Sequence, residues 1–307
     1  MSEQRHLSPN QRAWRRFRKN RPAMVAAIFL VVFVGLILLW PLLGATNPNA
    51  VSDAQFAKPN GQYLFGTDVH GRDLLARICY GARVSLVVGV VGAAVSLVIG
   101  VSWGLVAGYV GGRTDAGMMR IVDVLYSMPT VVFVIVLITA LNASLAKMQT
   151  GPHALSASTV RMLQFTGLFV GLGAVSWLTM ARIVRGQVLS LRHRAFVDAS
   201  RVLGATHTRI LLRHILPNIY GIIIVYLTLT IPSIVLYESF LSYLGLGIQP
   251  PQASLGSLIA SGAEQINAVR IYWWLVVYPG VTLVVTLLAL NFVGDGLRDA
   301  FDPHGDR

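Results

Sequence analysis

The chain has 307 residues, of which 54% are apolar and only 12% charged, with a net charge of +12. An ordinary soluble domain carries about 25% charged residues, so too little polar surface remains to cover a water-soluble globule, and a mean hydropathy of +0.63 agrees. The apolar excess excludes intrinsic disorder, and the single cysteine, Cys79, excludes an internal disulfide scaffold. What remains is an integral membrane protein. A membrane helix needs about 20 consecutive apolar residues. Six stretches without a formal charge meet that need: 23–45, 84–109, 124–146, 162–181, 215–237 and 271–294. They are apolar on every face, unlike the alternating strands of a membrane barrel.

Residues 1–22 form a basic segment, with Trp14 and Phe17 on one helical face and Pro22 at its end. Two readings stay open: a flank that only sets orientation, and a helix lying on anionic headgroups. The first run, 23–45, is too long for a signal peptide core and has no small-x-small cleavage site at its end, so it reads as a retained span. The 46–83 segment reads as an outer loop with a short helix. Asp68, His70 and Asp73 lack the spacing of a calcium loop or a zinc site, so no metal is assigned. Instead Thr67 or Asp68 is expected to cap the short helix, with Asp73 and Arg77 paired one turn apart.

A five-helix core is expected over 84–303. The second run repeats small residues every fourth position, at Gly92, Ser96, Gly100, Gly104 and Gly108. Such a stripe lets helix backbones approach closely in lipid. It also contains Gly100-Val101-Ser102-Trp103-Gly104, a literal match to the hydrolase nucleophile elbow. That motif needs a strand-turn-helix context and a histidine base. Ser102 sits mid-helix and no run contains His, so an intramembrane hydrolase is only a remote alternative, and no catalytic residue is assigned. Pro129, Pro232 and Pro279 fall inside the third, fifth and sixth runs, where they are expected to kink the helices.

The 182–214 segment holds seven Arg and one acid, Asp198. A short amphipathic helix is expected from about 195 to 203, ended by Gly204 in the left-handed conformation. Phe196, Val197, Val202 and Leu203 are too apolar for a free loop and suit docking into a groove on a soluble partner. After the fifth run, Glu238 must sit at an interface or face a cavity, because a charge in lipid is costly. The apolar 240–263 segment is too rich in Gly and Pro for a seventh span and reads as re-entrant or lid-like. Asp123 and Glu238 are the candidate pathway residues, although Arg120 offers Asp123 a local partner. Residues 304–307 are a tail.

Orientation follows from the basic residues. With the N-terminus inside, the inner segments hold 18 Lys and Arg and the outer segments 7. This bias places both termini in the cytoplasm. It also accounts for the positive charge without nucleic acid, since the basic residues form no single patch. Lys19, Lys58 and Lys147 are the only lysines, and none follows Gly, so the chain has no P-loop.

The 182–214 segment resembles the Glu-Ala-Ala loop of bacterial ABC importer permeases. Asp198, Ala199, Ser200, Gly204, Leu216 and Pro217 fall on its spacing, while Asp and Ser replace the first acid and second Ala, and His214 stands where Ile is expected. Gly66-Thr67-Asp68, Leu241 to Gly247 with Gln249-Pro250-Pro251, and Gly294 to Ala300 resemble the second permease subunit of dipeptide and oligopeptide importers. Gly173 to Trp177 and Ile183 to Gln187 resemble the oligopeptide branch in particular. The resemblance runs from about residue 15 to 303. It implies an all-α, six-span permease of the type I importer fold in a bacterial inner membrane. It implies a second homologous permease, two ATPase subunits that carry ATP and Mg, an extracytoplasmic binding protein, membrane lipid and a peptide cargo. It implies no cofactor on this chain and an ATPase-coupling role for Phe196, Val197, Asp198, Ala199, Ser200, Arg201, Gly204, Leu216 and Pro217. Nickel chelates, glutathione and antimicrobial peptides remain alternative cargoes.

Overall fold

The computed structural model describes residues 9–43, 47–148, 156–266 and 270–301. The expected tail at 304–307 and the end of the first run lie outside them. The regular structure of the described residues is helical: α1 (Pro9–Lys19), α2 (Arg21–Leu39), α3 (Leu74–Val110), α4 (Gly112–Ser127), α5 (Thr130–Lys147), α6 (Ala157–Leu191), α7 (Ala195–Val202), α8 (His207–Ile210), α9 (Leu216–Tyr243), α10 (Leu255–Ala263) and α11 (Trp274–Phe301). Six helical stretches are long and apolar enough to cross a membrane: Arg21–Leu42, Leu74–Val110, Thr130–Lys147, Met162–Leu191, His207–Tyr243 and Trp274–Phe301. Each coincides with one of the six predicted runs, so the chain is a multi-pass membrane protein.

The helix ends differ from the hydropathy runs, for local reasons. Neither Thr67 nor Asp68 caps a short helix. Asp73 is the N-cap, accepting from Leu75 N at 3.0 Å, and the expected short helix is the first turns of the 37-residue α3. Thr67 ties its own loop, donating to the Ala54 carbonyl. Pro129 does not kink the third span. It stands between α4 and α5, with Met128 extended before it, because proline disfavours helical geometry in its predecessor. Pro232 and Pro279 do lie inside α9 and α11. Pro279 has no N–H for the Leu275 carbonyl, and α10 approaches that carbonyl at Gly262, where an added Cβ would lie 2.5 Å from the oxygen.

The centre of the fold is the contact of α3 with α6. The small-residue stripe faces it. A Cβ on Gly100, Gly104 or Gly108 would come within 2.6–2.8 Å of Met180 Cβ, the Ala181 carbonyl and Val188 Cβ respectively. The stripe continues onto α9, where Gly92 meets Ile234. Ser102 is exposed on α3 outside that seam.

α1 docks through Phe17 and Ala13 against α2 and α11, packing on Ala23 and Ala300. Trp14 stacks on Phe17 at 6.0 Å but is 58% exposed. Asn20 joins α1 to α2 by accepting from Ala23 N, and Pro22 opens α2, where its missing N–H costs nothing. The 47–73 segment is pinned to the start of α11 by stacked Phe56–Tyr272 and Phe65–Tyr278 pairs.

Candidate coupling surface

α6 extends beyond the predicted span to Leu191, which carries Arg182 and Arg185 on a helix and not in a loop. Both reach α4. Arg185 contacts Asp115 through two bonds, Nε to Oδ1 at 2.5 Å and Nη2 to Oδ2 at 2.7 Å. These bonds hold the Asp115 carboxyl below the usual carboxylate range. Arg182 pairs with Asp123 at 2.7 Å and lies over the Tyr126 ring at 4.1 Å. The local Arg120 partner expected for Asp123 is therefore replaced by one on another helix. Just past α6, Arg192 Nη1 donates to the Gly108 carbonyl at the end of α3, satisfying one of the acceptors that every helix end leaves open.

α7 then follows within three residues. Its first bonds run from Val197 N and Asp198 N to the Arg194 carbonyl. Its end is a Schellman motif: Gly204 N donates to Arg201 O and Ala205 N to Ser200 O. Gly204 has φ +78°, a left-handed position that suits glycine. The predicted helix and its glycine stop are both present.

One side of α7 is anchored. Val197 is fully buried in a cluster with Val101 and Leu105 of α3, Val184 and Val188 of α6, and Ile210, Ile215 and Ile219. This cluster connects α7 to three spans. Thr206 caps α8, which leads through one π turn, Leu211–Ile215, into α9. Leu216 and Pro217 form the first turn of α9. Such π turns occur frequently at functional sites.

The other side of α7 is open. Val202 is 88% exposed and Leu203 86%, while Phe196 is 40% exposed. Arg201 bonds Asp198 at 2.9 Å and lies 5.6 Å from the centre of the Tyr109 ring. Tyr109 Oη and His207 Nδ1 are 2.9 Å apart. Ala199 is exposed, and Ser200 Oγ donates back to the Phe196 carbonyl. The result is an exposed apolar surface at the end of α7, with exposed Arg194, Arg201 and Arg209 on the same 194–209 stretch. It is shaped to bind a groove, with Val197 tying it to the spans. Sequence reasoning missed Tyr109, Arg192 and His207, because each acts across helices distant in the chain.

The second candidate pathway residue is corrected. Glu238 faces neither an interface nor a cavity: it is fully buried, accepting from Ser85 Oγ at 3.1 Å and Ser242 Oγ at 2.6 Å. Asp68 and Asp73 are likewise engaged, Asp68 with Arg72 at 2.7 Å and Asp73 as the α3 cap. Among the described residues no group of three or more metal-capable side chains is gathered.

Residues 100–305 match the family described as binding-protein-dependent transport system inner membrane component. Residues 8–60 match the N-terminal TM domain of oligopeptide transport permease C. The chain is 43% identical over 300 residues to the oligopeptide transport system permease protein OppC of Escherichia coli K12, covering 95% of this chain and 90% of that protein. It is 40% identical over 301 residues to the dipeptide transport system permease protein DppC of Bacillus subtilis, covering 97% and 86%. Its fold resembles a chain of the inward-facing MetNI methionine ABC transporter, with TM-score 0.54 and 20% identity over 74% of this chain and 97% of that one. With its six apolar helices and these matches along nearly its whole length, the chain belongs to the inner-membrane permease family of binding-protein-dependent transport systems.

Proposed function

We propose that the chain is a transmembrane subunit of an ATP-driven peptide importer, with both termini and α7 on the cytoplasmic side. The observation that carries this reading is α7 itself. It is short, fixed against three spans by Val197, and leaves Val202 and Leu203 in solvent. Leaving two such side chains unburied forfeits roughly 3 kcal/mol, which a docked partner recovers. ATPase subunits fit this role, because the sequence has no P-loop. Nucleotide-driven motion reaches α3, α6 and α9 as a rigid-body shift through the Val197 cluster. Peptide crosses between this subunit and a second permease, delivered by an extracytoplasmic binding protein. The peptide assignment is supported by the oligopeptide and dipeptide systems to which the relatives belong.

Two measurements test this. The tagged chain, solubilised in mild detergent, should recover a second six-span permease and P-loop ATPases; recovery of the chain alone would sink the docking reading. Gly204→Asp should abolish peptide uptake while the protein still inserts. No neighbouring atom lies within 4 Å of an added Cβ at Gly204, so the variant changes the docking face without a clash. Normal uptake in it would remove the role given to α7.

A further inference from the structure

α1 is folded and fixed in place. Ala13 and Phe17, one turn apart, are buried in a cluster with Ala23 of α2 and Ala300 of α11. Gly296 makes room for this junction, since a Cβ there would run into Ala23 Cβ and press on the Phe17 ring at 3.1 Å. Only Asn20 separates α1 from α2. On α2, Val25, Ile28, Val31 and Val32 are 58–73% exposed, as side chains facing lipid are. At 1.5 Å per residue, Asn20 lies about 8 Å along the axis from Val25. α1 is therefore held at the depth of the headgroups, where the hydrocarbon core ends.

Its uncovered side has a definite chemistry. With 3.6 residues per turn, Trp14, Arg18 and Arg15 share an arc of about 100° beside the buried one. Trp14 is 58% exposed, and both arginines are exposed. Trp14 stacks on Phe17, which sets its ring at the edge between the docked face and the basic arc. α1 carries Arg12, Arg15, Arg16, Arg18 and Lys19 and no acid. Among the described residues, neither Arg15 nor Arg18 makes an ion pair. Asp299, at this end of α11, accepts instead from Asn20 Nδ2 at 3.4 Å. Arg15 and Arg18 are neighbours on the helix and repel each other. Arg21, also exposed, adds its charge to the positive end of α2. Water suits the arginines but not the indole, and hydrocarbon suits the indole but not the arginines. An anionic headgroup layer suits both.

We propose that α1 is a docking surface for anionic phospholipid in the leaflet where α2 begins. Arg15, Arg18 and Arg21 meet the phosphates, and Trp14 enters the interface beside them. This rests only on α2 crossing the membrane, not on the cargo or the ATPase partners. The test is hydrogen exchange of the full chain, in nanodiscs of phosphatidylcholine and in otherwise equal nanodiscs rich in phosphatidylglycerol. One basic residue near an anionic surface is worth about fivefold in binding, so exchange across 9–19 should slow by at least about tenfold in phosphatidylglycerol. Exchange across the α3–α6 seam should not change. The triple variant Arg15→Gln, Arg18→Gln, Arg21→Gln should lose the difference between the two lipids. Salt at about 1 M, where the screening length is about 3 Å, should remove it from the unaltered chain, which decides the matter if the variant fails to insert. Equal exchange in the two lipids, a difference that survives the variant and the salt, or one spread evenly over the spans would overturn the proposal. So would inorganic phosphate reproducing the protection in phosphatidylcholine. Protection that appears in phosphatidylcholine only when co-purifying subunits are present would assign this face to a protein and overturn it as well.

Discussion

The α3–α6 seam and α7 use side chains in opposite ways. At the seam, glycines remove side chains so that two backbones meet, with Gly104 against the Ala181 carbonyl and Gly108 against Val188. At α7, one buried valine holds the helix while Val202 and Leu203 project into solvent. The seam has no room for another atom; α7 has unclaimed apolar surface. The difference separates a rigid part from a receiving part. A motion imposed on α7 reaches the spans as a body displacement, because the seam cannot deform to absorb it.

The strongest way to break this comparison is Gly104→Leu. Its side chain meets backbone, which cannot swing aside, so the seam should lose about 3 kcal/mol or more and the protein should fail to accumulate in the membrane. A normal melting temperature in detergent would show the seam to be plastic. Val197→Ala attacks the anchor of α7. Loss of two buried methyl groups should cost about 2 kcal/mol, read as faster hydrogen exchange in 195–203 with the spans unchanged. Exchange spreading equally into α3 would mean that α7 is not a separate unit.

Gly204→Asp should cost about 1–2 kcal/mol for its left-handed backbone, far less than the loss of uptake it causes. A fall in stability large enough to explain the uptake would undo the separation of folding from coupling. Asp115→Asn tests the α4–α6 link, with an expected loss on the order of 1 kcal/mol at neutral pH. The sign follows from the lowered Asp115 value: its stabilisation is fully present above the ordinary aspartate range, about 4, and disappears as pH falls through the lower folded value. The wild-type advantage in melting temperature should therefore shrink on acidification, and an advantage that grows would contradict the pairing. Leu203→Ser should have the smallest effect on stability, within about 0.5 kcal/mol, yet reduce recovery of ATPase subunits. Full recovery would place the docking contact elsewhere.

The two acids chosen as pathway residues show where sequence reading stops. Asp123 and Glu238 looked alike, as single charges near span ends. Asp123 is bound at the surface by Arg182, 59 residues away, while Glu238 is sealed by Ser85, 153 residues away. A local search favours Arg120 for Asp123 because i,i+3 neighbours are visible in a string. Serines inside apolar runs barely alter hydropathy, so the polar pocket around Glu238 left no sign. The acid beside Arg77 was equally hidden: the sequence offers Asp73 one turn away, whereas Asp68 stands 3.6 Å from its Nη1.

What the sequence determined by itself is whatever depends on the neighbouring few residues or on summed composition. The six apolar runs, the stripe of small residues, the α7 helix and its stop at Gly204 are of this kind, because chain length in lipid, helical period and left-handed backbone are local properties. The tertiary structure alone decided which arginine meets which acid, which serines seal Glu238, and which face of α7 is buried. Those outcomes depend on contacts between segments far apart in the chain. Their energies come from burial and pairing that exist only once the helices are packed.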